Sequence, residues 1–180
     1  MAQFATDAQE FVDALLSTPP FDNLKIRCAI NAFRIDVTST NSGGDDPITD
    51  DCPGTGTTAA TYFDASFCGN NVIRRLLVVN NASVIDVLDA QVPEWHQAIV
   101  IVNSSTYGGS GGQIGVTSTS SNWERIAIHE LRHSAFGMAD EYEYYAGCGV
   151  DTDRDKYVGG EPSEPNVKLI SIETQSNGVI

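Results

Sequence analysis

The sequence predicts an α/β domain, a twisted, mixed and mainly parallel sheet packed by helices, on three observations. Segments with strand-like and helix-like apolar spacing alternate from Ile26 to Val102. The run Gln97-Ala-Ile-Val-Ile-Val102 is continuously apolar and β-branched, which suits a fully buried strand. A last amphipathic segment, Ser121 to Gly137, closes the series as a helix. With 180 residues and 41% hydrophobic content, one core serves a single domain over 1–180.

Each element has its own local reason. The first helix, Ala8 to Leu16, has Phe11, Val12, Leu15 and Leu16 as its apolar side, and Pro19-Pro20 ends it. Ile26 to Val37 and Ile73 to Val79 read as strands, Ser83 to Gln91 as a helix, and Gln97 to Val102 as the next strand. The glycine-rich stretch Tyr107-Gly-Gly-Ser-Gly-Gly112 leads into Gln113 to Ser118, whose weaker alternation marks an edge strand. Such an edge either holds an extended peptide by main-chain pairing or forms a surface hairpin. No GxxxxGK[ST] pattern follows, so phosphate binding is not indicated.

The final helix starts at Ser121-Asn122-Trp123-Glu124, which reads as a capping box, and carries Ile126, Ala127, Leu131 and Ala135 as its apolar stripe. Gly137 stops it, since glycine readily takes the left-handed conformation at a helix C-terminus. Two of the chain's three histidines lie on this helix, in His129-Glu130-Leu131-Arg132-His133. Residues four apart share a helix face, so both imidazoles reach one metal ion. Glu130 lies about 100° round the helix, the place for a general base acting on metal-activated water. Beyond Gly137, Asp140 completes a His/His/Asp site for zinc and leaves the fourth position open for water or a peptide carbonyl. Zinc lowers the pKa of its water towards about 7, and Glu130 takes the proton and passes it to the leaving amine.

In the metzincin pattern HExxHxxGxxH/D, glycine and the last ligand come three and six residues after the second histidine. Gly137 and Asp140 come four and seven after His133. The stretch from His129 to Tyr142 instead resembles the IgA metallopeptidase family, a metzincin-like group with the motif HExxHxxxGxxDEY. The resemblance covers about residues 10 to 167. It extends through Pro20-Phe21-Asp22, Ile35-Asp36-Val37, Asp45-Asp46-Pro47, Tyr62-Phe63-Asp64-Ala65, Val102-Asn103-Ser104 with the glycine run, and Gly160-Glu161-Pro162-Ser163-Glu164-Pro165-Asn166-Val167. It implies a metzincin-like zinc endopeptidase fold, a protein or peptide substrate, zinc on His129, His133 and Asp140, and Glu130 as catalytic base.

Alternatives stand beside this reading. Glu141, Glu161 and Glu164 are rival third ligands, although Pro162 and Pro165 make a regular helix around the last two improbable. Arg132 stands where related zincins commonly carry a small uncharged residue, so its charge must reach solvent or a carboxylate such as Glu124 or Asp140. No methionine follows Met138 to form the turn that metzincins place beneath the metal. Either the family manages without it or a C-terminal subdomain is missing. The rival function is a zinc-binding or protein-binding relative with impaired catalysis. Tyr142, Tyr144 and Tyr145 are oxyanion donors or, more simply, core-edge aromatics. His96 is a structural or surface histidine.

The remaining composition narrows the partners. A formal net charge of −14 opposes binding to nucleic acid or anionic membrane, and no apolar run approaches the ~20 residues of a membrane helix. A monomer is expected. Asp151, Asp153 and Asp155 open like a calcium loop, but Lys156 and Pro162 occupy the glycine and bidentate-acid positions, which rejects an EF-hand. A looser calcium site on these residues, or on Asp45, Asp46, Asp50 and Asp51, competes with plain solvated loops. Cys28, Cys52, Cys68 and Cys148 form no CxxC pair, so disulfides are the better reading, with Cys52–Cys68 one of the pairings available. That points to a secreted, extracellular protein, although Met1-Ala-Gln-Phe-Ala-Thr carries no signal sequence.

Overall fold

The computed structural model describes residues 2–140 and 165–166. The chain divides into two compact units, Met1–Ala135 and Phe136–Ile180. The first holds the sheets. It begins with α1 (Ala2–Leu16), six residues longer at its start than expected, because Phe4 continues the apolar side of Phe11 and Leu15. Gln3→Asp7 and Gln9→Asp13 side-chain hydrogen bonds, 2.8 and 2.9 Å at i,i+4 spacing, add local support.

The expected strand Ile26–Val37 does not form. Asn23 accepts from the Lys25 N–H at 3.0 Å and caps the short helix α2 (Leu24–Arg27), which takes the first two residues of that segment. Residues 30–39 join no ladder, and Phe33 is 71% exposed. Apolar alternation without a neighbouring strand has no backbone partner.

Next come β1 (Asp46–Ile48) and β2 (Pro53–Thr57), an antiparallel pair. Asp46 is buried at 5% exposure, and its Oδ2 accepts from the Thr55 N–H, the Thr55 hydroxyl and the Arg74 guanidinium, the last at 2.6 Å. Cys52 and Cys68 are disulfide-bonded with Cα atoms 6.2 Å apart, while Cys28 is free and exposed and Cys148 lies outside the described residues.

Ile73–Val79 makes isolated bridges rather than a regular strand. Ser66 bridges Val78 and Leu76 bridges Gly109, because Asn70 captures the Val72 and Ile73 N–H groups and a turn closes from Leu76 N–H to the Ile73 carbonyl. Helix α3 (Asn81–Gln91) forms as expected, capped by Asn80.

The second sheet contains β3 (Ile99–Val102), β4 (Gly109–Ser110) and β5 (Gly115–Ser118) in the order β3-β5-β4. β3 and β5 are parallel, with Ile99 opposite Gly115; β4 and β5 are antiparallel. Only one of the three described ladders is therefore parallel, so among the described residues the sheets are small and mixed rather than mainly parallel. β5 is not the expected edge but the central, fully buried strand, with the glycine run beside it. Ala65, Phe67, Leu77, Val102 and Val116 form the core beneath it. No described helix is long and apolar enough to cross a membrane.

Candidate metal centre

Helix α4 (Trp123–Phe136) follows β5 directly. The Trp123 N–H donates to the Ser120 carbonyl at 3.1 Å, and Asn122 takes φ +60 to turn the chain into the helix. Trp123, Ala127 and Leu131 are buried, a stripe at four-residue spacing. His129 and His133 lie about 140° round the helix from that stripe, so core packing holds the helix while the imidazoles point away. At the other end Gly137 takes φ +60 and α4 stops before it, as its sequence position predicts.

The two imidazoles face each other. Their Nε2 atoms are 3.1 Å apart, with ring centroids 4.7 Å apart and planes crossed at 87°. A tetrahedral ion with Zn–N bonds of about 2.0–2.1 Å separates two ligand nitrogens by about 3.3 Å, so the pair matches a shared metal closely. A carboxylate oxygen of Glu130 joins them, all three ligand atoms lying within 4.8 Å of one another. Among the described residues this is the only such group of histidine, cysteine and acidic side chains. The acidic loop does not gather into a second one: Asp45 accepts from the Ala59 N–H at 2.7 Å, Asp46 is tied to Arg74, and Asp50 and Asp51 are exposed.

The glycine run turns out to be the wall of this centre. A Cβ on Gly109 would lie 2.9 Å from both Glu130 Oε1 and Ile126 Cγ2, and one on Gly111 would lie 2.4 Å from His133 Cβ. Bare backbone is what lets β4 and the glycine after it approach the face of α4 that carries Glu130 and His133. Gly109 is in turn held on its outer side, its N–H donating to the Arg75 carbonyl at 3.1 Å and its carbonyl accepting from Leu77 at 3.3 Å. The β4 edge at Gly109 is thus paired within the chain, and neither the substrate-edge reading nor the free-hairpin reading of the glycine run describes it.

Of the two outlets expected for the Arg132 charge, solvent or a carboxylate, the carboxylate is not met among the described residues, and the residue is only partly buried. Its Nε is buried without a hydrogen-bond partner, and it enters none of the ion pairs of the described residues. His96 is exposed, as a surface histidine.

Asp140 belongs to the second unit, where one arrangement is defined. The Ala139 N–H donates to Asn166 Oδ1 and Asn166 Nδ2 donates to the Ala139 carbonyl, both at 2.9 Å. Asn166 lay in the family-like segment, but nothing in the sequence tied it to the residue before Asp140. Glu141, Glu161, Glu164, Tyr142, Tyr144, Tyr145 and the Asp151, Asp153 and Asp155 series lie outside the described residues.

A family model described as IgA Peptidase M64 matches residues 1–177 of this chain. No curated protein matches it.

Proposed function

The chain belongs to the IgA peptidase M64 family, and from that membership we propose that it is a secreted, monomeric zinc endopeptidase acting on proteins or peptides, with 1–180 as one metzincin-like catalytic domain. The observation that carries the reading is the convergence of His129, Glu130 and His133 within 4.8 Å on one helix of a peptidase-family chain. His129, His133 and Asp140 would hold the metal, the aspartate by its place in the motif. When bound, zinc supplies a Lewis acid that polarises a peptide carbonyl and acidifies a water. Glu130 accepts the proton of the attacking water and returns it to the leaving amine. The bare backbone of Gly109 leaves that flank to the Glu130 carboxylate, where a Cβ would crowd it. The Cys52–Cys68 bond and the negative charge suit an extracellular protein that binds neither nucleic acid nor membrane.

A second reading, a metal-binding or protein-binding relative with impaired catalysis, draws on Arg132, a cation with a buried unpartnered Nε inside the motif itself. One experiment separates the two. Zinc per chain is measured after exhaustive dialysis in the parent, His133→Ala and Asp140→Ala, alongside hydrolysis of a denatured protein. One zinc lost in both variants, with hydrolysis by the parent, supports the endopeptidase. Loss in His133→Ala alone moves the third ligand to Glu141, Glu161 or Glu164. Zinc without hydrolysis supports the impaired relative, and a parent without zinc sinks the enzyme reading.

A further inference from the structure

We propose that Asn166 is a positioning residue for the third metal ligand, on the reading above that Asp140 is that ligand. One planar carboxamide meets one residue twice, accepting from the Ala139 N–H and donating to the Ala139 carbonyl, both at 2.9 Å. The pattern reproduces the two-way exchange of a hydrogen-bonded pair in an antiparallel ladder, with a side chain in place of the second strand. Because the Ala139 carbonyl and the Asp140 N–H share a peptide plane, holding the first fixes the plane from which the Asp140 side chain departs. A segment that follows a helix stop at Gly137 gains its orientation from a residue 27 positions after Ala139. Asp140 is half-buried, and a carboxylate withdrawn from water needs its direction set if it is to meet a cation.

The requirement is specific to asparagine. Aspartate keeps the acceptor for the Ala139 N–H but loses the donor and opposes a carbonyl with a charge. Alanine loses both bonds.

The test compares the parent chain with Asn166→Ala, Asn166→Asp and Asp140→Ala. Zinc affinity is read by competition with a chromogenic chelator, and the site's geometry by the visible absorption of the cobalt-substituted protein, after circular dichroism has established folding. Both Asn166 variants are expected to bind zinc about 10–100-fold more weakly than the parent, with an altered cobalt spectrum. Parent-like affinity and spectrum in a folded Asn166→Ala overturn the proposal, even if its Tm falls. If Asn166→Ala does not fold, Asn166→Asp decides by the same criteria, and failure of both to fold overturns positioning in favour of a folding role. Parent-like zinc affinity in Asp140→Ala overturns the ligand assignment and the proposal with it. Loss of zinc in Asp140→Ala beside parent-like binding in folded Asn166 variants overturns the positioning role alone.

Discussion

The Nε2 atoms of His129 and His133 face each other at 3.1 Å across one helical turn. Without a cation, one imidazole must donate to the other; with one, both lone pairs are used at once. Metal removal is therefore expected to lower stability. Dialysis against a chelator should reduce Tm, and zinc at about 100 times its Kd should restore about 2.7 kcal/mol. The measurement is a thermal melt with and without zinc, repeated on His129→Ala. A zinc-induced rise that persists in His129→Ala would remove that histidine from the site.

Glu130→Gln keeps the size of the side chain that touches Gly109 but cannot accept a proton. Peptide hydrolysis should fall by about 10²–10⁴ while zinc content stays at the parent level. Loss of zinc together with activity would make Glu130 a ligand rather than a base.

Gly111→Ala would set a methyl 2.4 Å from His133 Cβ. The backbone must move away, at about 1–3 kcal/mol, and zinc affinity should fall as His133 shifts. Parent-like values for both, by melting and chelator competition, would show that β4 and α4 are not held this close.

The Cys52–Cys68 bond closes a loop with a sequence separation of 16, and both cysteines are buried. Replacing both by serine should cost about 3 kcal/mol by chain entropy, read as a lower denaturant midpoint. An equal midpoint in parent and variant would mean the thiols are not paired in solution.

Arg132→Met preserves the length of the side chain while removing a buried Nε that has no partner. Stability should rise by about 1 kcal/mol, measured by urea unfolding. A clear loss of stability would show that the guanidinium is compensated in solution.

Much of helix α4 was legible, because His129, Glu130, His133 and the buried stripe Trp123, Ala127 and Leu131 follow helical periodicity alone. Helix α3 was legible for the same reason. The errors lie where short polar side chains compete with backbone ladders: Asn23 caps a helix turn at the start of the expected strand, and Asn70 bends the start of another. β5 looked like an edge because the alternation of Gln113 to Ser118 is weak, yet its polar residues Thr117 and Ser118 are fully buried. Thr117 Oγ1 donates to the Ser118 carbonyl at 3.2 Å and Ser118 Oγ to Ser120 Oγ at 3.2 Å, bonds that sequence spacing does not reveal. The glycine run was misread because glycine marks hairpins and close approaches alike. The Asn166 clamp joins residues 27 apart with no periodic signal.

The glycine wall changes how inactive mutants of this chain should be interpreted. Gly109 and Gly111 contribute no side-chain atom to any reaction, yet a methyl on either runs into the centre. A saturation screen scored by hydrolysis alone would therefore flag these two positions beside Glu130 and blur scaffold with chemistry. Pairing each inactive clone with its metal content sorts them on the proposed roles: a methyl at 111, which meets His133, is expected to weaken metal binding, whereas a methyl at 109, which meets Glu130 and Ile126, is expected to leave the metal in place as Glu130→Gln does.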